Sequence, residues 1–199
     1  PPFIGAASMR AALGDGYVEA LRAAWPEVPE SSDFVMYWWQ RAARQVAAGQ
    51  ARRMGLITTN SLRQTFNRRV VQAALAAGTH LEMAIADHPW VDFAGNAAVR
   101  IAMSVLAPGE GEGELLTVTD ERPGEFGEMQ VTVKAQRGLI HADLSIGANV
   151  AATQALQSNT GLTFRGVTLM GTGFWVEPDD PLIALEPQIV KPLRNGRDL

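Results

Sequence analysis

The chain begins "PPFIG", and adjacent prolines ahead of an aromatic ring make a chemically specific combination. Pro1 and Pro2 lock two successive φ angles and remove two backbone donors, so the stretch suits neither a central strand nor a helix interior. It can supply a rigid corner that aims a carbonyl and the Phe3 ring in set directions, with Gly5 letting the chain leave sharply. More familiar catalytic sets are missing. His80, His88 and His141 are scattered without the spacing of a zinc site, and Ser104 has no nucleophile-elbow glycines around it. No metal is expected. "GEGEGE" lacks a strand–helix frame, and its glutamates would repel phosphate. "PDDPLIALEPQ" offers carboxylates but lacks the Glu-x-Lys element of a nuclease. Cysteine is absent, which rules out disulfides, thiolate metal ligands and a thiol nucleophile, and suits a reducing cytosol.

At 199 residues the chain is one domain or slightly more, long enough to bury a core without staples. A net charge of −4 argues against a free-standing basic DNA-binding domain. The charge is unevenly spread. "ARRMGLITTNSLRQTFNRR" carries Arg52, Arg53, Arg63, Arg68 and Arg69 with no acid among them, while acids gather in "GEGEGE" and "DERPGEFGE". An arginine run of this kind is either a solvated face or the footprint of an anionic partner. No signal peptide is visible and no apolar run approaches about 18 residues, so no membrane role is expected and the location is read as cytoplasmic.

These residues need elements to position them. "MRAALGDGYVEALRAAW" reads as helix interrupted at Gly14 and Gly16, followed by a linker in which Ser31 and Ser32 can cap and Asp33 favours a helix start. In "DFVMYWWQRAARQVAAG", Phe34, Trp38, Ala42 and Val46 form an apolar stripe opposite Arg41, Arg44 and Gln45, and Gly49 ends the helix. "RMGLIT" suits a strand buried on both faces. A second helix carries Leu62, Phe66, Val70 and Ala74 at helical spacing and stops at Gly78. "HLEMAIAD" and "AAVRIAMSVLA" alternate as strands, with Val99, Ile101, Met103 and Val105 on one face. Strand–helix alternation through residue 77 predicts a parallel α/β sheet, with "HPWVDFAGN" turning into an antiparallel pair. Beyond residue 107 the texture becomes mostly β: short strands in "LLTVT" and "MQVTVKA", a short helix in "IGANVAATQAL", and two strands in "GLTFRGVTLMGTGFWV".

"SDFVMYWWQRAA", "RRMGLITTNSLRQTFNRRVV" and "ADHPWVDFAGNAAVRIAMSV" follow the Pro-Pro-Phe corner in that order. In sequence and spacing they resemble the second half of the catalytic domain of amino-group (adenine-N6) DNA methyltransferases, most closely the large single-chain type II restriction–modification enzymes. The resemblance covers 1–106 well and 145–176 more loosely. It implies an α/β fold, the C-terminal half of a class I S-adenosylmethionine-dependent, Rossmann-like sheet. Residues 1–107 would be the catalytic half, 108–144 a connector with short strands, and 145–199 the start of a target-recognition region.

Such enzymes flip the target base out of the duplex and hold it by its edge and π-face. Carried over by position, the Pro1 carbonyl accepts a hydrogen bond from N6, Pro2 keeps that carbonyl aimed and Phe3 stacks on the base. Trp90 or Phe93 would complete the clamp, the alternative for both being packing against the sheet edge. Asp33 and Phe34 match the helix lining the adenine pocket of S-adenosylmethionine, the alternatives being helix capping for Asp33 and core packing for Phe34. Asn60, Arg63, Arg68 and Arg69 are the candidate DNA contacts. Asn is expected before Pro1, with the strand bearing it and the main cofactor-binding loop upstream, so this chain alone is expected to be inactive. The partners implied are double-stranded DNA and an attached nuclease domain or defence-system subunits. Two other readings stand beside this one: a non-catalytic DNA-binding or assembly module derived from a methyltransferase, and an α/β domain acting on a small molecule. The methyltransferase reading places Pro1–Phe3 at the carboxyl ends of the strands, near Asn60 and the Trp90 loop.

Overall fold

The computed structural model describes residues 3–91, 98–124, 129–149 and 156–162, with isolated positions 153, 176, 180, 181, 183 and 188. Good helix formers on both sides of Gly14 produce two helices, α1 (Met9–Leu13) and α2 (Asp15–Ala24). Gly14 breaks them apart, whereas Gly16, the other expected interruption, lies inside α2. The next two helices, α3 (Val35–Ala47) and α4 (Thr65–Ala76), are each followed by a glycine in the left-handed region, Gly49 at φ 71° and Gly78 at φ 84°. Both stops are those the sequence predicts.

The buried faces of α3 and α4 differ from the expected stripes. In α3 the buried residues include Val35, Met36, Trp39, Ala43 and Val46, while Trp38 is half-exposed; in α4 they are Asn67, Val70, Val71 and Ala74, while Phe66 is exposed. The reason is geometric. A pure i+4 series advances roughly 40° per step around a helix of 3.6 residues per turn and walks off one face, whereas mixed steps of three and four stay on it. Ser31 and Ser32 do not cap α3, whose start has no side-chain cap.

Four of the strands are long. β1 (Met54–Thr59), β2 (Thr79–Val91), β3 (Ala98–Pro108), β4 (Gly113–Pro123) and β5 (Met129–Gly138) form one sheet in the order β1-β3-β2-β4-β5. β3 is inserted between β1 and β2 and runs antiparallel to both, so β1 and β2 point the same way without touching. The expected antiparallel pair of β2 and β3 is present, but the expected parallel pairing of β1 with β2 is replaced by this insertion. The parallel contact is β2 with β4, confined to Met83–Ile85 against Glu114–Leu116. β1 pairs on one side alone, so it is an edge strand among the described residues rather than one buried on both faces.

α3 packs on β1 and β3, α4 packs on β2, and the two helices touch each other. The fully buried Trp39 donates its indole N–H to the buried Ser104 hydroxyl on β3 at 3.2 Å, satisfying a polar pair inside the core. Ile140, Ala142 and Leu144, just after β5, join the same buried cluster. The segment expected as a connector therefore belongs to the sheet, and the first compact unit runs to Thr153. At 146–149, where the short helix was expected to begin, the chain is not helical. The second unit, Gln154–Leu199, contributes a 3-10 turn at Gln157–Asn159. The two strands expected in "GLTFRGVTLMGTGFWV" lie outside the described residues from 163 onward.

The start of β4 depends on a missing side chain. A Cβ on Gly113 would sit 2.0 Å from the Leu81 carbonyl oxygen and 2.9 Å from the Glu82 carbonyl carbon, backbone atoms that cannot swing aside. Gly113→Ala is expected to destabilise the chain by about 1–3 kcal/mol through forced separation of β2 and β4, read by urea or thermal denaturation. A variant as stable as the parent would mean that the two backbones do not meet this closely.

Candidate functional site

Register sets the end of β1 level with positions inside the two longer strands. Thr59, the last residue of β1, pairs with Ile101, and Ile101 pairs on its other side with His88 of β2. From that line β2 and β3 continue alone as a two-stranded ribbon, with Pro89 opposite Arg100 and Trp90 opposite Val99. Proline is tolerated there because the ribbon is past the pairing with β4. At roughly 3.3 Å per residue, Trp90 stands two residues beyond the end of β1, and it is 45% exposed.

The entering chain is laced to the same edge. The Asp33 carboxylate accepts hydrogen bonds from the Ala6 amide (3.1 Å), the Ser61 hydroxyl (2.6 Å) and the Asn67 side-chain amide (2.8 Å). The Asp33 N–H donates to the Asn67 amide oxygen at 2.9 Å, and the Phe34 N–H donates to the Ile4 carbonyl at 2.9 Å. Because a backbone N–H can only donate, the orientation of the Asn67 amide is settled, and its NH₂ also reaches the Ser61 carbonyl at 3.0 Å. Phe3 lines a cleft of about 210 Å³ with Ile4, Gly5, Asp33, Val35, Thr59 and Ser61. Half of Phe3 is exposed (51%), so it is not a core residue. It stands at the carboxyl end of β1, the edge expected for it. Pro1, Pro2 and Phe93 lie outside the described residues.

Asn60 reaches across to the ribbon, donating from its amide to Asp87 Oδ1 at 3.3 Å. Arg100 forks onto Asp87 with Nε–Oδ1 2.8 Å and Nη2–Oδ2 3.0 Å, and its third nitrogen bonds Glu121 of β4 at 2.7 Å. Arg63 lies beside them, lining a cleft of about 350 Å³ that includes Asp87, Arg100, Gln136 and Ser145. The Arg100 fork, the Asn60 bond and the nearby Arg63 hold the Asp87 carboxyl below its ordinary value, against a smaller opposing effect of burial. Arg100 is held correspondingly higher by its two acidic partners, Asp87 first.

Phe34 is buried and lines a second cleft of about 220 Å³ between α2 and α3, with Tyr17, Leu21, Trp25, Tyr37, Trp38 and Arg41. Tyr17 meets Phe34 edge-on, with ring centroids 6.2 Å apart. Desolvation raises the Tyr37 phenol above its ordinary value, partly countered by Arg22. The 50%-exposed Trp38 therefore belongs to an open aromatic wall instead of the core. Of the arginines, Arg69 is exposed and lies over the Phe66 ring at 5.4 Å, Arg68 is half-buried, and Arg53 pairs with Glu82. The acid-free run in the sequence thus acquires an acid from β2 in space. Among the described residues, no three His, Asp or Glu side chains lie together as a metal ion would need, and no helix is long and apolar enough to cross a membrane.

The sequence reading missed Asp87, Arg100, Ser61, Asn67 and Trp38. Asp87 and Arg100 had a signal, being opposite charges flanking one turn. Asn67 had a weaker one, as a polar residue beside apolar positions of a helix.

No family model and no curated protein matches the chain. Among solved structures, it is similar to the Type IIL restriction–modification enzyme MmeI, determined in complex with DNA, with a TM-score of 0.56 at 20% identity. The match covers 75% of this chain and 19% of that one. The likeness is one of fold. The chain has the mixed α/β architecture expected from its sequence.

Asp87 and Arg100 are each more than a third exposed, 43% and 37%, so solvent limits their pairing to about 1 kcal/mol or less. A carboxyl with a depressed folded pKa adds stability that is complete above its unfolded value near 3.8 and vanishes as pH falls through the lower folded value. Asp87→Asn is therefore expected to lower the melting temperature slightly at neutral pH and to match the parent in strong acid. A gap that persists unchanged in strong acid would rule out ionisation of Asp87 as its source.

Proposed function

We propose that this chain is the second half of the catalytic domain of a restriction–modification DNA methyltransferase that transfers a methyl group to adenine N6. The observation that carries the reading is the meeting of a half-exposed Phe3 with the end of β1, at the edge where Asn60 is bonded to the ribbon bearing Trp90. Ligands of open α/β sheets sit outside the carboxyl ends of the strands, which is this edge. The fold likeness to an enzyme solved on DNA supports the same reading.

In this mechanism a flipped adenine lies against Phe3, with Trp90 or Phe93 as the second ring of the clamp. The Pro1 carbonyl accepts from the N6 amine, which raises electron density on nitrogen as its lone pair attacks the methyl carbon. On methylation N6 would release its proton to solvent. S-adenosylmethionine, when bound, supplies the methyl group and the thioether leaving group. The aromatic cleft fits one part of that molecule: Phe34 and Trp38 offer a wall for a flat ring, with Arg41 at its rim. Asp33, with three donors on its carboxylate, braces this wall from behind. Arg63 and Arg69 are exposed and available to phosphates, while Asn60 and the half-buried Arg68 complete the proposed DNA face.

Phe3→Ala in the natural protein that carries this sequence is expected to leave the fold intact, because the ring is half-exposed. Base–aromatic stacking is worth roughly 1–3 kcal/mol, so methyl transfer should fall by about one to two orders of magnitude. Cofactor affinity should hardly change, and Phe3→Tyr should keep much of the rate. Radiolabelled methyl transfer to duplex DNA, beside cofactor binding, reads both. A folded Phe3→Ala protein at the parent rate would remove the base-clamp role. The non-catalytic alternative is favoured if the natural protein binds duplex DNA and transfers no methyl.

The arginines generate a separate expectation. Replacing Arg68 and Arg69 together should weaken binding to all duplex sequences alike and reduce the salt slope by about one unit per lost phosphate contact. A slope equal to the parent's would leave them as solvated surface.

A further inference from the structure

The ribbon beyond Ile101 has little apolar packing to hold it. Ile101 is buried, but Trp90 and Val99 beyond it are both exposed. Among the described residues, the side-chain bonds tying the ribbon to the rest of the fold pass through Arg100, to Asp87 at the ribbon's base and to Glu121, and Asp87 is in turn bonded by Asn60. The backbone prepares this arrangement. Between the pairs Ile85–Met103 and His88–Ile101, Ala86 and Asp87 of β2 face Ala102 alone on β3, so Asp87 lies in a β-bulge. A bulge re-aims a side chain relative to the strand's alternation. Here the Asp87 carboxylate meets both Nε and Nη2 of Arg100. A two-point fork fixes angle as well as distance, which a lysine ammonium cannot do. Arg100 then reaches over β2 to Glu121, linking β3 to β4, strands that do not pair directly.

We infer that Arg100 is the positioning residue of the base clamp: its fork on the bulged Asp87, anchored to Asn60 on one side and Glu121 on the other, sets the height and angle of the ribbon that presents Trp90 over the end of β1. This rests on the reading of Trp90 as a clamp residue. Arg100 touches neither base nor cofactor in this arrangement and acts through the ribbon. Its removal should lower the rate of methyl transfer while leaving cofactor affinity unchanged, since the aromatic wall between α2 and α3 is built from other elements.

The test uses the natural protein that carries this sequence, with R100Q, R100K, D87N and the R100Q/D87N double variant. Amide hydrogen exchange reads the brace directly. In R100Q the amides of residues 88, 90 and 98–101 should exchange at least about tenfold faster, with β1 and the 103–106 stretch of β3 unchanged. The kcat for methyl transfer to duplex DNA should fall about tenfold or more, a loss seated in the transition state, with the Kd for S-adenosylmethionine within about twofold of the parent. D87N should match R100Q, and the double variant should be no worse than either, because one interaction is removed each time. R100K should lie between parent and R100Q; if R100Q does not fold, R100K provides the same readouts. Unchanged ribbon exchange overturns the brace. A loosened ribbon with kcat at the parent level overturns Arg100 as a positioning residue while leaving the methyltransferase reading intact. A parent protein that transfers no methyl overturns that reading and the clamp together, even if the exchange pattern is as expected.

Discussion

The Asp33 carboxylate is the constraint on which the arrangement of the site depends. Three segments distant in sequence converge on this carboxylate at the start of α3: the N-terminal corner through Ala6, the turn after β1 through Ser61, and α4 through Asn67. None of these contacts is strong alone, since a hydrogen bond to a charged group contributes about 1.5–3 kcal/mol net. Their effect lies in sharing one acceptor. Removing the carboxylate would leave Ser61 and Asn67 partly unsatisfied and would leave the entering chain held to the start of α3 by the Phe34 N–H to Ile4 carbonyl bond. The position of Phe3 is therefore a consequence of α3 and α4 packing, transmitted through two polar side chains.

The sheet explains why the other half of the site lies on the same edge. With β3 inserted between β1 and β2, the two outer strands run in one direction, and the end of β1 at Thr59 is level with His88, from which β2 continues to Val91. The bulge at Ala86 and Asp87 and the lone-sided pairing at Pro89 then give the ribbon its own geometry, independent of β4. Among the described residues, polar contacts through Arg100 hold that ribbon, and its Trp90 and Val99 are exposed.

Charge follows the same division. The acid-free arginine run of the sequence is split in space: Arg53 is neutralised by Glu82, Arg63 stands beside Asp87, and Arg69 remains on the exposed face of α4 over Phe66. Acids concentrate instead on the β4 strand that Arg100 grips through Glu121. A net charge of −4 is thus compatible with a locally basic edge, because the acids are placed elsewhere in the fold.

The sequence alone determined the helix stops at Gly49 and Gly78, the break at Gly14, the existence of five strands' worth of apolar alternation and the mixed α/β class. These are local properties, set by φ preference and by the period of apolar residues within a dozen positions. The Pro-Pro corner also singled out Phe3, while Trp90 was marked through the family resemblance, with packing against the sheet edge as its alternative. Tertiary structure decided the rest. Which of Trp38 and Trp39 enters the core depends on where β3 and Ser104 lie, and adjacent tryptophans carry no local signal to choose between them. The strand order depends on β3 returning between two earlier strands, which periodicity within each strand cannot encode. Asp33 and Asp87 were legible as acids near a helix start and a turn, but their partners are 27 to 34 residues away for Asp33 and 13 to 27 for Asp87. A hydrogen bond between residues so far apart exists only after the chain has folded, because folding alone brings its donor and acceptor within reach.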